Sequence, residues 1–366
     1  MEFNSQVQVL LIVFCLGAVL GAVANKTNFC TMGAVSDVVN MGDWGRMRAW
    51  LLAAAVALLG VTALEAGQFA VLGNETFPSY RTTNFAWLRY LLGGLIFGVG
   101  MTLASGCGNK TLVRIGGGNL KSLVVLGIAA FFAYHMQWGD LFASVFGGMV
   151  SATSIDLAAR GFASQTLGEL TGAGNLAAGL ILGIAAVVYV FSSREFRENR
   201  DHLIAGIVIG LVIVAGWYVT GGKIGTEWKE WADFADVKPL RVETQSFTFM
   251  SPMGDGARYV MDPANLALIN FGIVALLGVI VGSFLWSLIG RSFRFEWFAS
   301  RGDFVNHVVG ATLMGIGGPL AMGCTVGQAI TGVSTLALGS LLTFVAICVG
   351  AAATMKFQYW LMMREA

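Results

Sequence analysis

The amino-acid sequence predicts an all-α polytopic membrane protein with about nine or ten transmembrane helices in two pseudo-symmetric halves. Of its 366 residues, 56% are hydrophobic and 12% are charged, whereas about a quarter of the residues in a soluble domain are charged. Apolar runs of roughly 18–22 residues, long enough to cross a bilayer, recur along the chain. A block of fifteen residues that ends in cysteine occurs twice, and this repeat predicts the two halves.

The apolar runs give the candidate spans in chain order. They lie at residues 7–25, 49–68, 87–105, 121–138, 140–158, 172–192, 203–220, 265–289, 305–322 and 335–358. The residues before the first run lack the basic segment and the cleavage site of a signal peptide, so we expect this run to be retained as a span. The net charge of +1 gives no global basic field, which argues against a nucleic-acid partner.

Charge and polarity divide the chain further. We predict a first transmembrane half at 1–192, a cytoplasmic connecting loop at 193–202 and a second half at 203–366. Under the positive-inside bias, three clusters indicate cytoplasmic loops: Arg46 and Arg48; Arg194, Arg197 and Arg200; Arg291, Arg294 and Arg301. The polar stretch at about 221–264 is then an extracytoplasmic insertion, which either caps an entrance or forms a passive external loop.

The repeated block relates residues 93–107 (GGLIFGVGMTLASGC) to residues 310–324 (GATLMGIGGPLAMGC). Seven of the fifteen positions match at a constant offset of 217, including the terminal Cys107 and Cys324. A polar interruption and a new apolar run follow each copy. Transporters built from repeats carry broken helices at corresponding positions, with the substrate site between them near the bilayer midplane. We therefore predict re-entrant broken helices and a substrate site at these interruptions.

A third interruption, at residues 25–33, follows the first span and contains Cys30. Its expected counterpart in the second half is residues 291–303, which contain no cysteine. Cys15 and Cys348 lie instead within uninterrupted apolar runs, where a cysteine usually serves as a small hydrophobic residue. The incomplete match predicts that the two halves are related but not identical.

The three interruptions combine thiols with hydrogen-bond donors and few carboxylates, a lining that suits an anion rather than a hard cation. We assign Cys30, Cys107 and Cys324 to the substrate pathway. The supporting residues are Lys26, Asn28, Gly106, Gly108, Asn109, Lys110, Gly323, Thr325 and Gln328. The glycines are expected to give the backbone freedom to turn. Because a thiol is a soft, weak donor, it suits an anion that carries sulfur of its own.

Other interpretations remain open at this point. The cysteines could simply pack in the turns, and Lys110 could extend to the membrane interface. A membrane thiol enzyme of the sulfurtransferase type would need an activated thiolate and usually a neighbouring resolving cysteine, yet the sequence has no CxxC pair. A soft-metal carrier would use the three thiolates as ligands, without His or Met at tight spacing beside them.

Three motifs resemble those of the YeeE/YedE family of bacterial inner-membrane proteins. They are NFCTMGAVSD at 28–37, SGCGN at 105–109 and MGCTVGQAITG at 322–332. The resemblance extends over nearly the whole chain. It implies an hourglass of helices with re-entrant loops and a narrow constriction, and a protein that takes up thiosulfate.

In this family the motif cysteines pass thiosulfate along by S–H···S contacts, a role that the resemblance gives to Cys30, Cys107 and Cys324. Some relatives are linked to selenium or to other sulfur species, and some work beside a small cytoplasmic TusA-like sulfurtransferase. We therefore expect an inner-membrane transporter rather than an enzyme, with no catalytic residues, cofactor or metal.

Overall fold

The computed structural model describes residues 5–365 and consists almost entirely of helices. The α-helices are α1 (Ser5–Lys26), α2 (Thr31–Ser36), α3 (Gly45–Ala66), α4 (Trp87–Leu103), α5 (Gly108–Gly116), α6 (Leu120–Gln137), α7 (Gly148–Thr153), α8 (Leu167–Thr171), α9 (Asn175–Phe191), α10 (Arg194–Glu198), α11 (Arg200–Gly221), α12 (Lys223–Asp233), α13 (Met250–Met261), α14 (Phe271–Ile289), α15 (Arg301–Leu320) and α16 (Leu338–Glu365). Short π-helical segments lie at Asp37–Met41, Phe142–Gly147 and Gly327–Gly332, and 3₁₀ turns at Ala158–Arg160, Leu266–Leu268 and Val333–Thr335.

Four very short strands lie in the loops between helices and pair these loops with one another. They are β1 (Thr76–Phe77), β2 (Asn84–Ala86), β3 (Ser154–Asp156) and β4 (Thr244–Gln245). β1 pairs with β4 in parallel, and β2 pairs with β3 in antiparallel register. The parallel pair ties the loop before α4 to the segment that leads into α13.

Seven segments within residues 5–365 are long and apolar enough to cross a membrane. They are Ser5–Met41, Gly45–Ala66, Trp87–Gly116, Leu120–Gln137, Arg200–Gly221, Phe271–Ile289 and Leu338–Arg364. This confirms the predicted all-α polytopic membrane fold. Since a bilayer core of about 30 Å requires about 20 helical residues, each of these segments has the required length or nearly so.

The nine or ten expected spans differ from these seven segments in three places. The run at 172–192 forms α9, which has only 17 residues. The run at 140–158 is divided among a π-helical segment, α7 and β3. The run at 305–322 forms α15, a helix of 20 residues whose first turn carries Arg301 and Asp303 and is therefore less apolar than the others.

The packing of the long helices stays the same when each helix of the first half is exchanged with its counterpart in the second half. α1 packs against α14 as α11 packs against α3, and α4 packs against α16 as α15 packs against α6, while α4 and α15 pack against each other. The exchange therefore relates α1 to α11, α3 to α14, α4 to α15 and α6 to α16. The repeat of residues 93–107 in 310–324 lies in the central α4–α15 pair.

This pairing corrects the expected counterpart of the first interruption. Residues 27–30 connect α1 to α2, so their counterpart is the segment that connects α11 to α13. That segment ends at residues 244–249, whereas residues 291–303 join α14 to α15 and correspond to the loop between α3 and α4. The intervening residues 222–243 displace the true counterpart along the sequence.

Glycines allow the backbones of α1 and α14 to come into direct contact. A Cβ atom on Gly282 would lie 1.9 Å from the carbonyl oxygen of Ala18, and one on Gly21 would lie 2.1 Å from that of Val279. Between membrane helices, small residues permit the close van der Waals packing that holds a bundle together. Any side chain at these positions would force the two helices apart.

We expect Gly282→Ala to lower the thermal stability of the detergent-solubilised protein, because overpacking of this kind typically costs about 1–3 kcal/mol. The matched control is Gly127→Ala in α6, where an added Cβ meets nothing within 4 Å. Midpoints from thermal unfolding followed by size-exclusion chromatography compare the two. Equal midpoints would contradict the packing role of Gly282.

Candidate functional site

Four interrupted segments surround the centre of the protein. Residues 27–30 precede α2, residues 104–107 precede α5, residues 244–249 precede α13, and residues 321–324 precede the helical turn that begins at residue 325. Cys30 and Cys107 each occupy the extended position just before a short helix. Cys324 holds the same place in the second repeat, and Phe249 precedes α13. Three of the four segments therefore end in a thiol.

The two repeated segments end their helices in the same way. Ser105 and its equivalent Met322 adopt left-handed φ angles of 57° and 61°. The N–H of Gly106 donates to the carbonyl of Met101, and the N–H of Gly323 donates to that of Gly318, each at 2.8 Å. This helix-ending hydrogen bond uses a carbonyl that the broken helix would otherwise leave free.

The glycines of these motifs serve a purpose other than the expected turn, since the left-handed residues are Ser105 and Met322. A Cβ on Gly106 would lie 3.1 Å from Cγ of Lys110, and one on Gly108 would lie 3.1 Å from Sδ of Met250. Gly323 is crowded in the same way by Gln328. Their function is to leave room for neighbouring side chains.

The three predicted thiols are buried in one region. Cys30, Cys107 and Cys324 are 5%, 1% and 0% exposed, and all are free cysteines, whereas Cys15 is exposed. Cys107 lies beside the hydroxyl of Thr325 and close enough to Cys30 and Cys324 for electrostatic interaction. Within residues 5–365, no group of three His, Cys, Asp or Glu side chains is arranged to hold a metal ion.

A buried cation lies next to this region. Nζ of Lys110 donates a hydrogen bond of 2.6 Å to Oδ1 of Asn28, and Lys110 is only 9% exposed. No carboxylate in the described part of the chain forms an ion pair with it, and the other cations that act on it are Arg114 and Arg46. The hydrogen-bond partner of Lys110 is therefore a neutral amide, and no carboxylate of the described residues pairs with its positive charge.

Lys26 is not part of this arrangement. Its side chain is exposed, and Nζ lies 5.5 Å from the centre of the Trp286 ring. Such a contact is typical of a lysine at the membrane interface. Of the two lysines predicted for the site, the structure brings only Lys110 to the thiols.

Buried polar atoms without partners gather at the interrupted segments. Among the predicted residues they are Oδ1 of Asn109, Oγ1 of Thr325 and Oε1 of Gln328; Oγ1 of Thr31 and Oγ1 of Thr248 are two that the sequence did not indicate. A buried polar group without a partner costs about 1–3 kcal/mol. Their concentration beside the thiols marks a place where a polar solute or water can supply the missing hydrogen bonds.

The segment before α13 is the part of the site that the sequence analysis missed. Residues 244–255 are buried, so this part of the 221–264 stretch is not a passive surface loop. The backbone N–H groups of Phe249 and Met250 are directed at the sulfur of Cys324, and Met250 contacts Gly108. The sequence does contain a signal for this buried segment: residues 244–254 carry no charge, although charged residues flank them on both sides.

Buried aspartates anchor two of the short helices, one within α13 and one at the end of α2. Asp255 of α13, 0% exposed, accepts hydrogen bonds from Arg241 at 2.6 Å, Trp138 at 3.1 Å and Asn270 at 3.0 Å. Asp37, which follows α2, forms an ion pair with Arg46. Both carboxylates are neutralised by arginine and do not oppose an anion.

The comparison with known protein families agrees with this arrangement. The family described as sulphur transport matches residues 26–353, nearly the whole chain and all three thiol-bearing segments. The chain belongs to the sulphur transport family. This confirms the resemblance that the three cysteine motifs indicated, and it supports transport rather than enzymatic catalysis.

Two named relatives align with most of this chain. The thiosulfate transporter TsuA of Escherichia coli (strain K12) is 24% identical over 335 residues, covering 86% of this chain and 84% of the relative. The thiosulfate transporter TsuA of Spirochaeta thermophila is 24% identical over 348 residues, covering 92% and 94%. The similarity therefore includes both repeats.

We expect Asp255→Ala to destabilise the protein by about 3–5 kcal/mol, because it leaves the largely buried Arg241 without its carboxylate. The control is Asp233→Ala in the same polar stretch, where the carboxylate pairs with Lys238 at the surface and both side chains are about two-thirds exposed. Such a surface pair contributes about 0–1 kcal/mol. Thermal unfolding in detergent measures the stability of both variants. Equal and small losses of stability in the two variants would contradict the role of Asp255.

Proposed function

We propose that this chain takes up thiosulfate across a bacterial inner membrane through a passage lined by Cys30, Cys107 and Cys324. The observation that carries the proposal is the meeting of three buried, free thiols at the ends of interrupted helices in a member of the sulphur transport family. Two relatives named as thiosulfate transporters support the choice of substrate. In this proposal the interrupted segments are re-entrant and form the waist of an hourglass.

The chemistry of the thiols suits a solute that carries a terminal sulfur atom. An S–H group is a weak donor with a soft, polarisable sulfur, so its contact with the sulfur of thiosulfate is favourable but easily released. A conducting pathway needs several such weak sites in succession. Cys107 lies within electrostatic range of both Cys30 and Cys324, which is consistent with transfer from thiol to thiol.

Electrostatics supports an anionic substrate. Lys110 brings a positive charge to the thiol region without a carboxylate to neutralise it. The exposed side chain of Asn28 connects Lys110 to solvent. A dianion that reaches this pair gains attraction from a cation in a poorly screened environment.

The remaining predicted residues act as support in this proposal. Gly106, Gly108 and Gly323 make room for the side chains that form the waist. Asn109, Thr325 and Gln328 supply buried polar atoms along it. A small TusA-like sulfurtransferase, which the family resemblance implies, would accept the solute on the cytoplasmic side.

We expect Cys107→Ser and Cys324→Ser to reduce uptake of labelled thiosulfate into proteoliposomes about tenfold or more. A hydroxyl is smaller and harder than a thiol, and a loss of about 1.4 kcal/mol at one site corresponds to a factor of ten. The control is Cys15→Ser, since Cys15 lies on the exposed face of α1. Normal uptake by both serine variants, at equal protein incorporation, would rule out the thiol pathway.

We also expect Asn28→Asp to weaken uptake, because a carboxylate 2.6 Å from the ammonium of Lys110 would neutralise the charge that attracts the anion. Hydrogen bonds to charged groups are worth about 1.5–3 kcal/mol, so the KM for thiosulfate should rise about tenfold or more. Asn40→Asp adds the same charge at an exposed position, where the amide donates to Ser36 and not to Lys110. An equal KM in both variants would contradict the role of Lys110.

A further inference from the structure

Three threonine hydroxyls at the site differ from the other buried threonines of this protein. Most threonines in the helices donate to the carbonyl four residues earlier. They include Thr27, Thr62, Thr102, Thr111, Thr220 and Thr354. The hydroxyls of Thr31, Thr248 and Thr325 are buried to at least 97%, and within residues 5–365 none donates to a carbonyl or to another oxygen or nitrogen atom. The group that faces the Thr325 hydroxyl is the thiol of Cys107.

The positions of these threonines explain why their hydroxyls stay free. Thr31 and Thr325 each follow a cysteine at the first helical position after an interrupted segment. No helical turn precedes them, so no carbonyl four residues earlier is in place to accept. Thr248 lies in the extended approach to α13 and lacks a preceding turn for the same reason.

All three hydroxyls lie on the interrupted segments. Thr325 is adjacent to the thiol of Cys107, and it follows Cys324 directly. Thr248 packs against Gly327, where a Cβ atom would lie 2.3 Å from the Thr248 oxygen, and the backbone of Gly327 donates to the sulfur of Cys324 at 3.5 Å. Contacts therefore tie Thr248 and Thr325 to the thiols, whereas Thr31 is included because it follows Cys30 at the equivalent position.

We propose that the hydroxyls of Thr31, Thr248 and Thr325 bind the oxygen atoms of a sulfur oxyanion while the neighbouring thiols contact its terminal sulfur. This assignment rests on the proposed function and adds the groups that recognise the other end of the solute. Hydroxyl donors suit hard oxygen atoms, and thiols suit soft sulfur. Free hydroxyls are available to a passing anion without first breaking an internal hydrogen bond.

The arrangement selects solutes that present both kinds of atom. Sulfate offers oxygen but no terminal sulfur, and hydrogen sulfide offers sulfur but no oxygen. Each would use only half of the contacts, so each should compete poorly with thiosulfate. A pathway of thiols alone would distinguish thiosulfate from sulfate but not from hydrogen sulfide.

The test uses Thr248→Val and Thr325→Val, which keep the shape of the side chain and remove only the hydroxyl. We expect the KM for labelled thiosulfate in proteoliposomes to rise about tenfold for each variant, since losing a charge-assisted hydrogen bond has an effect of this size. The melting temperature without thiosulfate should stay the same or increase, because an unsatisfied buried hydroxyl is replaced by a methyl group. Thr248→Ser and Thr325→Ser should recover most of the wild-type KM.

The matched control is Thr354→Val in α16, because the Thr354 hydroxyl already donates to the carbonyl of Gly350. It should change the KM little. If the wild type takes up thiosulfate and the valine variants at residues 248 and 325 keep its KM, the hydroxyl assignment is overturned and the proposed function stands. A lower melting temperature with an unchanged KM overturns the assignment as well. If the wild type itself takes up no thiosulfate, the proposed function fails.

Discussion

A helix that is interrupted in the buried interior of a protein must satisfy the backbone groups that it exposes, and this requirement shapes the structure around Cys107 and Cys324. Lipid offers no hydrogen bonds, so interrupted backbone is tolerated only where protein surrounds it or water reaches it. Both repeats meet the requirement alike, with a left-handed residue at 105 or 322 and the same hydrogen bond closing the helix end. The segments that result place Cys107 and Cys324 at equivalent positions, and the close packing of α4 with α15 brings these positions together.

The distribution of charge follows from the same constraint. A buried carboxylate is stable only when a cation or several donors pair with it, and arginines serve this purpose for Asp37 and Asp255. These pairs anchor the ends of the interrupted segments and leave no net negative charge there. Lys110 is different, since its partner Asn28 is neutral. The positive charge beside the thiols is thus left without a carboxylate partner because residue 28 is an amide.

The two halves share the same arrangement of helices and interrupted segments but differ in the side chains that these segments carry. Three interrupted segments contribute a thiol, whereas the fourth contributes Phe249 and Met250, whose backbone N–H groups approach Cys324. This segment also requires the long polar stretch before it, which is tied down by Arg241 and by the pairing of β1 with β4. The set of interrupted segments is consequently asymmetric even though the helices around it are related by a twofold exchange.

The sequence by itself determined the membrane fold and the repeat in α4 and α15, because length, hydropathy and a constant offset are properties of local sequence. It did not identify the fourth segment, the place of Thr31 and Thr248, or the separation of Lys26 from Lys110. Those features depend on contacts between residues far apart in the chain, and an insertion hid the relation between 27–30 and 244–249. Only the tertiary structure decides which buried polar atoms find partners, since that depends on which helices pack side by side.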